Sequence, residues 1–179
     1  MKKFYITTPI YYVNDEPHIG HAYTTILADV INRYYKGIGY HTFFLTGTDE
    51  HGLKVQQAAQ KNKISPQIHV NKHVEAFQKI WKKLNIEYDY FIRTTDANHI
   101  KKVQYALQYL YDKGEIYLDE YEGLYSVSEE RFITQKEADE GDFREIKKIK
   151  EQNYFFKMSK YQDKLIEHIN KNPKFIKPE

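Results

Sequence analysis

The chain has 179 residues, enough for one good core or two small ones, and 41% of them are hydrophobic, which excludes a disordered polypeptide. A formal net charge of +2 neither demands nor excludes a nucleic-acid partner, and the complete lack of cysteine excludes disulfides and any thiolate zinc or iron–sulfur site. The opening Met1-Lys2-Lys3 leads into a strand rather than an apolar leader, and no window approaches the ~18 apolar residues of a membrane span, so a cytoplasmic protein is expected.

Phe4 to Thr8 is β-branched and aromatic and predicts a short strand ended by Pro9. Residues 10–18 form a loop rich in Tyr, Asn and Asp. From Ile19 the apolar positions Ala22, Tyr23, Ile26, Leu27, Val30, Ile31 and Tyr34 recur at helical spacing, and Gly37 and Gly39 close that helix. Thr42 to Leu45 predicts a second, buried strand, with Thr46-Gly47-Thr48-Asp49 as the loop at its carboxyl end. Strand, crossover helix and strand in this order make a right-handed βαβ unit. Helices follow over Gly52–Asn62 and Pro66–Leu84, the latter with Ser65 as N-cap and proline beside it. Tyr90 to Arg93 predicts a third strand. Thr95 or Asp96 caps a helix that runs to Lys113 and closes at Gly114.

Composition shifts near Gly114, where a domain boundary is expected: a nucleotide-fold half over residues 1–114 and a smaller α+β module over 115–179. Glu115 to Tyr125 alternates apolar and acidic residues, which predicts antiparallel strands. Residues 129–151 are charged, with few large apolar side chains. Asn153 to Lys157 predicts another short strand, and Tyr161 to Asn172 a helix before Pro173.

The densest chemistry is His18-Ile19-Gly20-His21, at the junction of the first strand's loop and the first helix. An arbitrary H-x-x-H is usually two surface histidines. Here a strand, Pro17 and a polar loop precede the pair and a helix follows it. The carboxyl end of a parallel strand beside a helix N-terminus is where α/β sheets hold nucleotide phosphates. Gly20 lets a ligand approach the backbone. Asp49, past the second strand, could grip a ligand ammonium, but it and Glu50 suit an N-cap and acidic first turn equally well. Ile10 and Tyr12 could line a pocket for a thioether or simply pack under the first helix. His69 and His73, at i and i+4, could be a metal pair, but with no acidic or third histidine partner evident a solvated helix face is expected, and the basic run Lys147-Lys148-Lys150, which could touch tRNA, is expected on a solvated edge.

Thr8-Pro9-Ile10-Tyr11-Tyr12-Val13-Asn14 continuing to His18-Ile19-Gly20-His21 resembles the HIGH signature of class I aminoacyl-tRNA synthetases, and its flanks resemble the methionyl-tRNA synthetase family. The likeness extends through Phe44-Leu45-Thr46-Gly47-Thr48-Asp49-Glu50-His51-Gly52, through Gly123 to Phe132, and through Asn153-Tyr154-Phe155-Phe156. It implies an α/β fold, the first half of a Rossmann-type parallel sheet with an inserted connective-peptide module. It also implies ATP with Mg2+, methionine and tRNA(Met) as substrates and partners, and a place in protein biosynthesis. The family pattern assigns His18, Gly20 and His21 to ATP, with the two histidines catalytic. It assigns Asp49 to the methionine α-amino group, Ile10 and Tyr12 to the side-chain pocket, and Pro9 more distantly to the same site.

Two departures from the family pattern shape the expectation. Zinc-binding relatives carry cysteines where Ser126 and Glu129 stand, so a zinc-free, metal-free insert is expected, packed by Tyr125, Phe132 and Phe143. Lys157-Met158-Ser159-Lys160 resembles the KMSKS loop, but aromatic flanks and position predict a structural strand-to-helix turn instead. The expected activity is therefore methionine–tRNA ligase, represented by an amino-terminal part truncated before its second nucleotide-fold half, without the true KMSKS loop or an anticodon-binding domain, and inactive alone. The alternatives are another HIGH-bearing nucleotidyl-transferring enzyme and a non-catalytic synthetase-like module that binds RNA or a partner subunit.

Overall fold

A computed structural model describes residues 2–177. Met1, Pro178 and Glu179, which bound the two expected modules, lie outside the described residues. The chain divides into two compact units that meet at Val103 and Gln104, N-terminal to Gly114. No helix among the described residues is long and apolar enough to cross a membrane.

In the N-terminal unit, strands β1 (Lys3–Thr7), β2 (Tyr11–Tyr12) and β4 (Tyr90–Arg93) all pair in parallel with β3 (His41–Asp49). Leu45 pairs with both Thr7 and Tyr90, and Thr48 with both Tyr11 and Arg93. A strand residue has two lateral neighbours, so β1 and then β2 occupy one side of β3 and β4 the other. The expected second strand is thus longer than Thr42–Leu45. It continues through Thr46-Gly47-Thr48-Asp49, the stretch expected as loop, because Tyr11 and Tyr12 supply ladder partners for its last two residues.

Gly47 sits where β3 meets Ile92 of β4, and a Cβ there would come within 2.0 Å of the Ile92 carbonyl oxygen. Backbone cannot yield as a side chain can. Gly47→Ala should therefore destabilise the sheet by at least the ~1–3 kcal/mol typical of overpacking, read as a lower urea midpoint. An unchanged midpoint would contradict this packing.

Helices α1 (Ile19–Gly37), α2 (Leu53–Lys61) and α3 (Pro66–Lys83) connect the strands. Ser65 caps α3 by accepting from the Ile68 N–H, with Pro66 at the first position, and Gly39 (φ +86°) follows α1, as expected. The core gathers Tyr11, Val13, Val55, Val70, Val74, Phe77 and Trp81.

α1 is a helix, but it buries Thr25, Ala28, Asp29 and Asn32 and turns Ile19, Tyr23, Val30 and Tyr34 outward. Its inner face is fixed by polar bonds: Asp29 accepts from the Glu87 N–H (3.0 Å) and from Arg33 Nε (2.7 Å), and Thr25 meets the Tyr11 hydroxyl (2.9 Å). His69 and His73, expected on a solvated face, are not on one. They are 1% and 7% exposed, because that side of α3 faces Val13 and the core that Val70, Val74 and Phe77 share with Tyr11 and Val55.

Helix α4 (Ala97–Asp112) crosses the division between the units, and Gly114 (φ +69°) follows it. Asp96 stands directly before the helix and its carbonyl accepts from the Ile100 N–H, while its carboxylate accepts from the Arg93 N–H and the Thr95 hydroxyl donates to Glu50. The C-terminal unit has an antiparallel sheet in the order β6 (Arg131–Ile133), β5 (Ile116–Ser126), β7 (Ile146–Phe156). β5 is one strand of 11 residues rather than several. β7 also has 11 residues, where a short strand over 153–157 was expected, and it absorbs the basic run. Its lysines are held by ion pairs: Lys148 to Glu122 and Lys150 to Glu120 across the sheet, both at 2.7 Å, and Lys147 to Glu145 at 2.8 Å.

Phe132 packs edge-on against Tyr121 and Tyr125, and Arg131 lies over the Phe143 ring. Ser126 is fully buried, accepts from the Glu129 N–H and bonds the Ser128 hydroxyl, so hydroxyl groups close that turn. Short helix α5 (Gln135–Glu140) opens with a capping box between Thr134 and Glu137. The Thr134 backbone N–H, the Arg131 guanidinium and the Thr134 hydroxyl hold the Glu137 carboxyl down at about 2. Lys157 to Lys160 form a strand-to-helix turn, with Met158–Tyr161 in a 3-10 helix before α6 (Gln162–Lys171), and Lys160 is paired with Glu115.

Candidate active site

α1 begins with an unusual cap. His18 is the N-cap, in extended backbone, and its Nδ1 accepts from the Gly20 N–H at 3.1 Å. In return His21 Nδ1 accepts from the His18 N–H at 3.2 Å. Two imidazoles thus do what Ser and Glu do in an ordinary capping box. A neutral imidazole whose Nδ1 is an acceptor carries its proton on Nε2. Both rings therefore keep an Nε2–H donor at the positive end of a helix. The rings stack with centroids 3.8 Å apart. A Cβ on Gly20 would come within 3.0 Å of the His18 ring, so glycine here leaves that ring room to fold over the helix start.

His21 is supported from below. Its ring meets Tyr11 at 4.8 Å and Phe77 at 5.2 Å. The Thr25 hydroxyl donates to the His21 carbonyl, so the Tyr11 phenol is the donor to Thr25. Burial, and then the neighbouring His18, push the His21 imidazole below the usual histidine range. It stays neutral, as its Nδ1 acceptor role requires.

Tyr11 also links this cap to the second group of residues. Its neighbour Tyr12 is the register partner of Asp49, so the two share one face of the sheet while Tyr11 and Thr48 share the other. Asp49 is half-buried at the end of β3. It caps no helix: α2 begins only at Leu53, with Gly52 (φ +120°) in the N-cap position and no side-chain cap. Pro9 and Ile10 are exposed on the segment leading into β2. The Thr8 hydroxyl, 2.7 Å from that of Thr46, donates to the Pro9 carbonyl at 2.8 Å.

Glu50 has a role that sequence alone did not disclose. Its carboxylate is fully buried and takes a two-pronged bond from Arg93, at 2.8 Å from both Nε and Nη2. The hydroxyls of Thr48 and Thr95 donate to it at 2.6 Å. Arg93 reaches on to Asn71 of α3 at 2.7 Å. Burial works to raise the Glu50 carboxyl, but Arg93 and the two hydroxyls outweigh it and hold it below the usual carboxylate range. This network ties the ends of β3 and β4 to α3, directly beside Asp49. A further buried link joins His69 Nε2 to the Val13 carbonyl at 2.9 Å. A strand-end acid followed by Arg-Thr-Thr-Asp was the only hint in the sequence, and its meaning depends on the register of β3 and β4.

Comparison with known proteins gives one consistent result. The family model described as tRNA synthetases class I (M) matches residues 4–141. Methionine–tRNA ligases of Clostridium perfringens and Thermotoga maritima are each 49% identical to the chain over 182 and 185 residues. Each alignment covers 99% of the chain but only 28% and 29% of those proteins, so the chain spans less than a third of the length of the curated relatives it matches. The structure of Mycobacterium tuberculosis methionyl-tRNA synthetase in complex with methionyl-adenylate superposes with a TM-score of 0.92 at 42% identity, covering all of this chain and 37% of that one. LeuRS of Agrobacterium radiobacter K84, at 23% identity and a TM-score of 0.79 over 95% of this chain and 23% of its own, shares the fold.

Proposed function

This chain belongs to the class I tRNA synthetase (M) family, and from that premise we propose that it carries the HIGH-motif part of a methionine-activating site in a methionine–tRNA ligase. In the proposed reaction a methionine carboxylate oxygen attacks the α-phosphorus of ATP. The bond from that phosphorus to the bridging oxygen breaks, and pyrophosphate leaves with the electron pair. The methionyl-adenylate then gives its acyl group to a terminal ribose hydroxyl of tRNA(Met), releasing AMP. No covalent enzyme intermediate forms, so positioning and electrostatics carry the catalysis.

The observation that carries this reading is the paired imidazole cap. Because backbone N–H groups occupy both Nδ1 atoms, His18 and His21 offer two neutral Nε2–H donors beside a helix N-terminus. Such donors bind phosphate oxygens and stabilise the charge that builds on them during displacement. Asp49 is assigned to the methionine ammonium, and Tyr12 and Ile10 to its side chain, on the strength of the Tyr12–Asp49 register and the family pattern. Pro9 is assigned to the rim of the same pocket. Magnesium enters with ATP as part of the substrate, on phosphate oxygens. Among the described residues there is no group of three or more His, Cys, Asp or Glu that could hold a metal ion.

The reading is tested by ATP–pyrophosphate exchange in the natural protein carrying these residues, with each amino acid supplied in turn. Exchange dependent on methionine alone is expected. Exchange driven by another amino acid, or tRNA binding without any ATP consumption, would overturn it.

A further inference from the structure

We propose that His69 is a positioning residue for the methionine pocket: its Nε2–H holds the Val13 carbonyl and thereby keeps Tyr12 in register with Asp49. The proposal rests on the methionine-site reading above.

β2 has only two residues, Tyr11 and Tyr12, too few to hold a register by ladder bonds alone. It needs anchors at both ends. Tyr11 provides one, with its phenol on Thr25 and its ring on Phe77. The other end is Val13, which is fully buried, so water cannot serve its carbonyl. His69 serves it instead, at 2.9 Å.

The chemistry of the histidine supports the assignment. A carbonyl only accepts, so Nε2 carries the proton and Nδ1 is bare. That Nδ1 is buried and has no hydrogen-bond partner among the described residues. Leaving it so is costly. A phenylalanine would fill similar space in this aromatic core without that cost. The bond to Val13 is what the ring supplies and an apolar residue could not. His73 completes the arrangement: its Nδ1 bonds the His69 carbonyl at 2.9 Å and the two rings lie 4.1 Å apart, so the imidazole is wedged in place. The chain from α3 to the proposed pocket is then short: His69, the Val13 carbonyl, one peptide unit, Tyr12, and across the ladder Asp49.

The test compares His69→Phe with His69→Gln in the natural protein carrying these residues. Glutamine keeps a side-chain N–H of similar reach, whereas phenylalanine keeps only the volume. In pyrophosphate exchange, His69→Phe is expected to raise KM for methionine about tenfold with KM for ATP unmoved, while His69→Gln stays within about twofold of the parent. Equal methionine KM in the phenylalanine variant, equal loss in both variants, or a parallel rise in both KM values overturns the proposal. Two further measurements need no activity. Nitrogen NMR of the unsubstituted protein should find the His69 proton on Nε2, and amide exchange over residues 11–14 should quicken in His69→Phe and not in His69→Gln. A proton on Nδ1, or unchanged protection, overturns the anchor. A parent that exchanges pyrophosphate with no methionine dependence refutes the functional reading instead, and the anchor is then judged on these two measurements.

Discussion

Arg93→Met lowers the stability of the N-terminal unit by about 3–5 kcal/mol in urea denaturation, because it strands a fully buried carboxylate that has lost its charged partner. The Thr48 and Thr95 hydroxyls remain, but two neutral donors do not replace a guanidinium that bonds through two nitrogens. The double variant Arg93→Met with Glu50→Met should recover much of the loss, since no charge is then left in the dry interior. A single-variant loss below about 1 kcal/mol would show that the pair is solvated and sink the claim. Acid adds an independent check. The Glu50 carboxyl sits below its usual range when folded. Its contribution is complete above the unfolded carboxylate value and is lost as pH falls through the lower, folded one. Removing Arg93 takes away the strongest force holding the group down, so in Arg93→Met the carboxyl protonates at higher pH than in the parent.

The second large effect concerns chemistry. On the proposed reading, replacing His21 slows methionine-dependent pyrophosphate exchange by about 100- to 1,000-fold, the usual cost of losing one preorganised donor to developing charge. His21→Ala alone would be ambiguous, because it also removes the acceptor for the His18 N–H and opens one half of the cap. His21→Asn resolves this. Its carboxamide oxygen can take the Nδ1 position and keep the cap, but nothing replaces the Nε2–H. Asparagine should keep the melting temperature near that of the parent and still lose the activity. Full activity in the asparagine variant would reduce His21 to a helix cap.

Much of the N-terminal unit was legible because its signals are local. Ser65-Pro66 and Gly39 mark ends of helices whatever surrounds them, as Gly114 does in the C-terminal unit. The strand–helix–strand order followed from hydrophobic period alone. What failed needed information about partners. The outward apolar stripe of α1 reads as a core-facing helix until Asp29 is seen to bind the Glu87 amide. β7 is hidden because its lysines look like a solvated run, and only the register with β5 turns Glu120 and Glu122 into their partners. β2 consists of two tyrosines that are a strand only because the end of β3 lies beside them. The candidate site divides along the same line. Its candidate residues were proposed from pattern, whereas Glu50, Arg93 and His69, whose buried bonds tie the ends of β3 and β4 and the Val13 carbonyl to α3, carry no short-range signature.

The parallel sheet also sets an order of events during synthesis. β1 and β2 never pair with each other; both wait for β3, and the pairing of Lys3 with His41 spans the whole of α1. No hairpin can nucleate this sheet, and such non-local pairing forms late. On a ribosome adding roughly 5–20 residues per second, the amino-terminal strands therefore emerge unpaired while the helix between them, whose bonds are local, is already able to form. Arrival of His41–Asp49 then supplies both strands with their shared neighbour. The same segment brings Asp49 opposite Tyr12, so the β1, β2 and β3 part of the sheet and the Tyr12–Asp49 juxtaposition come together, and β4 joins the other side of β3 only when Tyr90–Arg93 has followed.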